Sequence, residues 1–171
     1  MVNRRFPKRA KPLSRAAKAW ILLALVAIVT WLSGGFDAVR IGGRARAVDG
    51  DTVILDGRRI RLVGLDAPEA RQTCTQNGRE WACGAEATKA TRALVRAGKL
   101  DCRLTGTDIY GRDLGRCSVD GRDLGASLVE AGWAVATTAY FAEERRARGA
   151  KRGIWRGAFE RPEDWRRDHG D

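Results

Sequence analysis

Asp56-Gly57 stands between two short β-type runs, residues 52–55 and 58–65, and no other feature limits the fold as much. A two-residue Asp-Gly loop adopts the left-handed backbone that matches the twist of two antiparallel strands, so this stretch reads as a hairpin. Residues 44–48 alternate and read as a strand before it. A second hairpin is expected from residues 99–104 and 114–119, around Tyr110-Gly111. Three helices are expected: 84–97, Ala-rich and stopped by Gly98; 124–131, ended by Gly132; and 140–151, ended by Gly153. The order β-β-β-α-β-β-α-α describes an α+β domain with a mostly β core, without internal repeats.

The 171 residues allow one domain plus extras, and the chain divides sharply near Phe36. Upstream lie seven basic residues (Arg4, Arg5, Lys8, Arg9, Lys11, Arg15, Lys18) and no acid, then the apolar run 19–32. Removing those seven charges from the net +11 leaves +4 for the rest, which suits a polyanionic partner without proving one. The organisation expected is a basic cytoplasmic stretch over 1–18, a transmembrane anchor or signal peptide over 19–36, a linker over 37–43, the domain over 44–160 and a tail over 161–171. As an uncleaved helix, 19–36 makes a thin single-pass anchor in a bacterial cell membrane, with the domain facing the periplasm or exterior. The alternative is secretion after cleavage near Ser33-Gly34-Gly35.

Cysteine usage agrees with an oxidising compartment. Cys74, Cys83, Cys102 and Cys117 allow three pairings. Cys102 and Cys117 fall at matching positions of the second hairpin, and Cys74 and Cys83 bracket the polar loop Thr75-Gln76-Asn77-Gly78, so those two pairs are the expected disulfides. Four reduced thiols are the alternative. No Cys-x-x-Cys occurs and the lone His169 lies in the tail, which argues against zinc.

The chemistry concentrates in Asp49-Gly50-Asp51-Thr52 and Arg61-Leu62 through Asp66-Ala67-Pro68-Glu69, followed by Asp108-Ile109-Tyr110-Gly111-Arg112. Carboxylates at strand ends offer oxygen ligands to a hard divalent cation, and arginines hold a phosphate with two parallel bonds. A plain turn at Asp56-Gly57 places Asp51 and Asp66 on one face and Arg61 on the other, so a bulge or longer turn is expected to reconcile them.

In these motifs, and in Leu128-Val129-Glu130-Ala131-Gly132-Trp133-Ala134 and Lys151-Arg152-Gly153-Ile154-Trp155, the chain resembles the staphylococcal-nuclease-like (thermonuclease) family from about residue 44 to about residue 155. The resemblance implies a five-stranded OB-type β-barrel with three packed helices, here preceded by the membrane-targeting helix. It implies a Ca²⁺-dependent nuclease that cuts DNA and RNA, single strands favoured, and leaves 3′-phosphate and 5′-hydroxyl ends. Asp51, Asp66 and the carbonyl of Ala67 would hold the cation. Arg61 and Arg112 would clamp phosphate, Glu69 would act as general base, and Tyr110 and Tyr140 would line the nucleotide pocket. The catalytic domain is expected to be monomeric. The chain departs from the family at Ala67, where a threonine is usual, at Ile109 in place of a lysine, and at Thr138 in place of a pocket tyrosine. The alternative function is a non-catalytic OB-type module binding nucleic acid or protein. A degenerate copy would lack one of Asp51, Arg61, Asp66, Glu69 or Arg112, and all five are present. A domain that only scaffolds an envelope protein is a third possibility.

Overall fold

The structure, a computed structural model, describes residues 14–32 and 39–170. It forms two units, Met1–Asp37 and Ala38–Asp171. The first contains helix α1 (Arg15–Leu32), whose 18 residues reach about 27 Å at about 1.5 Å per residue. Arg15 and Lys18 occupy its first turn, so its continuous apolar stretch is shorter still, below the roughly 30 Å hydrocarbon core of a bilayer. Among the described residues no helix is long and apolar enough to cross a membrane, so the expected transmembrane anchor over 19–36, whose last four residues lie outside the described ones, finds no support here. The basic residues before Ser14 and the Ser33-Gly34-Gly35 site lie outside the described residues.

The second unit runs β1 (Arg40–Gly43), β2 (Ala45–Ala47), β3 (Thr52–Leu55), β4 (Arg58–Leu62), β5 (Leu65–Asp66), β6 (Cys74–Gln76), β7 (Arg79–Trp81) and α2 (Cys83–Arg96). It continues through β8 (Leu100–Thr107), β9 (Asp113–Val119), β10 (Arg122–Asp123), α3 (Leu124–Glu130), β11 (Val135–Ala136), α4 (Phe141–Gly149), a 3-10 turn (Gly153–Arg156) and α5 (Pro162–His169). Leu55 faces Arg58 across the first hairpin, leaving Asp56-Gly57 as its loop at φ 51° and 74°. The same device recurs at Asn77-Gly78 between β6 and β7 and at Asp120-Gly121 between β9 and β10.

The main sheet has the order β1-β8-β9-β4-β3-β2, with β10 beside β9. Only the β4–β9 pairing in it is parallel. Only Arg44 separates β1 from β2, so the two edges of the sheet are consecutive pieces of chain and the sheet curls into a half-barrel. The expected strand over 44–48 is β2, paired with β3, and the stretch expected as a linker carries an additional strand, β1, paired with β8. Alternation along β8 turns Leu100, Cys102 and Leu104 inward to meet Val53, Leu55, Ile60, Leu62, Leu124 and Leu128. The architecture is mixed α+β and consistent with the OB-like expectation, with seven strands in the main sheet and four α-helices in this unit among the described residues.

Both expected disulfides form, Cys74–Cys83 and Cys102–Cys117. The first closes the β6–β7 hairpin and packs with Val135, Ile154, Trp81, Trp155 and Phe159 in a second apolar cluster. Thr75 also bridges Ala158, which fixes the path of the chain into α5.

Candidate active site

Asp51 and Asp66 are placed by bends that flank the first hairpin. Asp49 Oδ1 accepts the N–H groups of Asp51 (3.0 Å) and Thr52 (2.7 Å), folding the chain just before β3. After β4 the chain turns at Gly64, and β5 pairs with β11 so that Asp66 faces Val135. Both aspartates are buried. Arg61 lies on β4, where Ile60 and Leu62 take the core face. The expected bulge is therefore not what brings the three together: the turn is the plain two-residue one, and both carboxylates lie outside the paired segment of β3 and β4.

Arg61 Nη2 lies 2.9 Å from Asp51 Oδ2 and 2.7 Å from Asp66 Oδ1, so one positively charged nitrogen bridges the two carboxylates. Arg61 Nη1 donates to Asp51 Oδ1 at 3.1 Å. Burial pushes the Asp51 carboxyl up to about 7, against the pull of Arg61, with Asp49 and Asp66 adding to the rise. Ala67 turns its N–H toward Asp51 Oδ2 at 3.5 Å, where the resemblance assigns its carbonyl to a cation.

Glu69 is held through its backbone. Its N–H donates to Gln72 Oε1 (3.1 Å), and its carbonyl accepts the N–H of Gln72 (2.8 Å). Helix α2 starts hard against it: a Cβ on Gly84 would lie 1.6 Å from the Glu69 carbonyl oxygen, so only glycine fits. On the opposite side, Asp108 closes its loop by accepting the N–H groups of Tyr110 and Arg112 and pairing with Arg112 Nε at 2.7 Å. Desolvation, the largest single influence, works to raise the Asp108 carboxyl, but the hydrogen bonds from Arg112 and Tyr110 and the Arg112 charge together outweigh it and hold it below its ordinary range. The loop tip stands in solvent, with Ile109 91% and Tyr110 77% exposed.

These groups surround a cavity of about 670 Å³ lined by Asp49, Asp51, Ala67, Glu69 and Tyr110 and by five arginines, namely Arg59, Arg61, Arg112, Arg166 and Arg167. Asp66 opens instead onto a neighbouring cavity of about 260 Å³, and Arg61 and Arg166 line both. The expected Tyr140 is not brought to the cavity. Its hydroxyl donates to Asp123 at 3.1 Å, and its ring packs on the core where Gly64 and Gly125 leave room. Burial and the Asp123 carboxylate push its phenol up to about 12.

Arg166 is a site residue that the motifs do not announce. Carried on α5, it donates from Nη1 and Nη2 to the two oxygens of Asp66 at 3.0 Å each, and from Nη1 to Glu69 Oε1 at 2.7 Å. Partial burial works against its charge, but the bonds to Asp66 and Glu69 outweigh it and hold the guanidinium above its ordinary range. The stretch expected as a tail is thus a helix with Pro162 in its first turn, Glu163 and Asp164 beside it, and Gly170 as a left-handed stop. Those signals could have found the helix, though not its target.

Among the described residues no three His, Cys, Asp or Glu side chains gather as metal ligands. The two carboxylates that share Arg61 Nη2 nonetheless fit a hard cation: they converge on a single positive charge, and their donors are all oxygen.

A family model described as staphylococcal nuclease homologue matches residues 59–157. Succinoglycan biosynthesis protein ExoI of Rhizobium meliloti (strain 1021) is 35% identical over 162 residues, covering 90% of this chain and 84% of that protein. An uncharacterized endonuclease of Escherichia coli O157:H7 is 34% identical over 130 residues, covering 69% of this chain and 79% of that protein. Endonuclease YncB of Bacillus subtilis (strain 168) is 32% identical over 131 residues, covering 64% of this chain and 59% of its own. With the half-barrel, the converging carboxylates and the arginine-lined cavity, these matches place the chain in the family of staphylococcal nuclease homologues.

Proposed function

We propose that this protein is an extracytoplasmic, Ca²⁺-dependent nuclease that hydrolyses phosphodiester bonds of DNA and RNA and leaves 3′-phosphate and 5′-hydroxyl ends. One observation carries the proposal: Asp51, Arg61, Glu69, Tyr110 and Arg112 line a single cavity rimmed by arginine. The endonuclease names of two relatives support the reaction class. The two disulfides support an oxidising compartment, and secretion is the route compatible with them.

Arg61 and Arg112 grip the phosphate oxygens and gain strength as negative charge builds there in the transition state. Glu69, on a loop held by Gln72, takes the proton of the attacking water. Tyr110 offers an exposed ring on which a splayed base stacks, which favours single strands. Asp51 and Asp66 would hold the Ca²⁺, whose contribution is a hard charge beside the phosphate oxygens.

Digestion of single-stranded DNA and of RNA, with Ca²⁺ or with EGTA, followed by analysis of the product ends, tests this directly. Cleavage only with Ca²⁺, to 3′-phosphate ends, is expected. Cleavage that survives EGTA, or products with 5′-phosphates, would contradict it. Binding without cleavage would leave a non-catalytic OB-type module.

A further inference from the structure

We infer that Arg166 is the resident counter-ion of the cation site, so that a divalent cation must displace it from Asp66 and loosen α5 as it binds. The inference rests on the reading of Asp51 and Asp66 as cation ligands.

An ionised carboxylate offers about four acceptor positions. On Asp51 all four are taken, by Thr52 Oγ1 and Arg61 Nη1 on Oδ1 and by Arg61 Nη2 and the Ala67 N–H on Oδ2. On Asp66, Oδ1 accepts from Arg61 Nη2 at 2.7 Å and Arg166 Nη1 at 3.0 Å, and Oδ2 accepts from Arg166 Nη2 at 3.0 Å. On Asp51 a cation competes with Arg61. Asp66 keeps one open position, on Oδ2, but Arg166 Nη2 already sits on that oxygen, so a cation bound there meets a guanidinium charge at contact and one of the two has to yield.

The cavities say the same in space. Asp51 lines the larger one and Asp66 the smaller, and the residues common to both linings are Arg61 and Arg166. Arg61 is rooted in the centre of the sheet, between β3 and β9. Arg166 stands on an eight-residue helix in which Pro162 is the buried residue. Trp165 of the same helix stacks on His169, four residues along, with ring centres 4.4 Å apart. With so little apolar area holding α5 down, the ion pairs of Arg166 to Asp66 and Glu69 are a main part of its docking, and it is the partner able to leave. Linkage makes the effect reciprocal: a cation that loosens α5 binds more tightly once Arg166 is gone. Departure of Arg166 also frees Glu69 from its ion pair.

Calcium titration calorimetry on the full chain and on Arg166→Gln, without nucleic acid, tests the competition. Hydrogen exchange across residues 162–169 of the unmodified chain, with and without Ca²⁺, tests the movement and needs no variant. The expected results are Ca²⁺ bound about 5-fold or more tightly by Arg166→Gln, with Arg166→Lys intermediate, and faster exchange in α5 when Ca²⁺ is added. Equal or weaker binding by the variant, or slower exchange in α5, would overturn the inference while leaving the ligand reading intact. If neither chain binds Ca²⁺, the reading of Asp51 and Asp66 as ligands falls, and this inference falls with it.

Discussion

The side chain of Gln72 accepts the main-chain N–H of Glu69 at 3.1 Å while being itself fully buried. Its Nε2 donates to the carbonyl of Glu160 at 2.7 Å, so one amide ties the candidate base to the segment leading into α5. A flexible carboxylate is a poor general base unless its backbone is fixed, and here an uncharged, solvent-excluded residue fixes it.

Replacing Gln72 by leucine keeps the volume and strips both bonds, leaving the partly buried N–H of Glu69 and carbonyl of Glu160 without this partner. The expected cost is about 1–3 kcal/mol of stability. Turnover should fall further than that loss explains, because the loop bearing Glu69 is released. Thermal melts compared with nuclease rates check this, and a variant that loses stability but keeps full turnover at low temperature would refute a positioning role.

Gly84→Ala attacks the same loop from the other side. A methyl group overlapping the Glu69 carbonyl at 1.6 Å must push the loop away from α2. The expected outcome is a loss of about 1–3 kcal/mol, together with a drop in turnover larger than the change in KM. Wild-type kinetics in this variant would show that the loop tolerates displacement.

Much of this arrangement was legible in the sequence, and the parts that were not share a cause. Asp-Gly turns and Gly-stopped helices are local signals, so β3, β4, α2, α3 and both disulfides were expected where they occur. Asn77-Gly78 is the same signal, but the strands it joins have three residues each, too short for a period-2 pattern to show within a polar loop. Strand β1, in the stretch expected as a linker, depends on sheet closure against β8, which no local pattern encodes. The resemblance assigns Tyr140 to the pocket, yet Asp123 and the space above Gly125 claim it. Arg166 pairs with Asp66 across 100 residues of sequence, and in a chain so rich in arginine nothing local marks it out.

The raised Asp51 carboxyl sets a pH dependence. With its folded value near 7 and its ordinary value near 3.8, the folded protein keeps a proton that the unfolded chain has already released between those limits. Stability from this group is therefore complete below about pH 4 and is lost as the pH rises through about 7. Melts in EGTA across that window should show a decline that Asp51→Asn flattens. A slope unaffected by the substitution would contradict the burial cause.

The two disulfides should act differently. Cys102–Cys117 spans 15 residues and joins directly opposed positions of β8 and β9, so replacing both by alanine should cost about 3 kcal/mol with little change in KM. Cys74–Cys83 spans 9 residues and costs slightly less, but it clamps the hairpin whose Thr75 bridges Ala158 ahead of α5. Its loss should lower turnover as well as the melting temperature. Equal kinetics in the two double variants would remove the link from this hairpin to the site.

The most direct measurement is single-turnover cleavage of single-stranded DNA with Ca²⁺ by the full chain and by Glu69→Gln, with DNA binding measured on the same samples. If Glu69 is the base in an arginine-lined active site, cleavage falls by about 10²–10⁴-fold while binding changes little. Cleavage at the wild-type rate by Glu69→Gln would mean that the reaction, if it occurs, does not take place through this carboxylate.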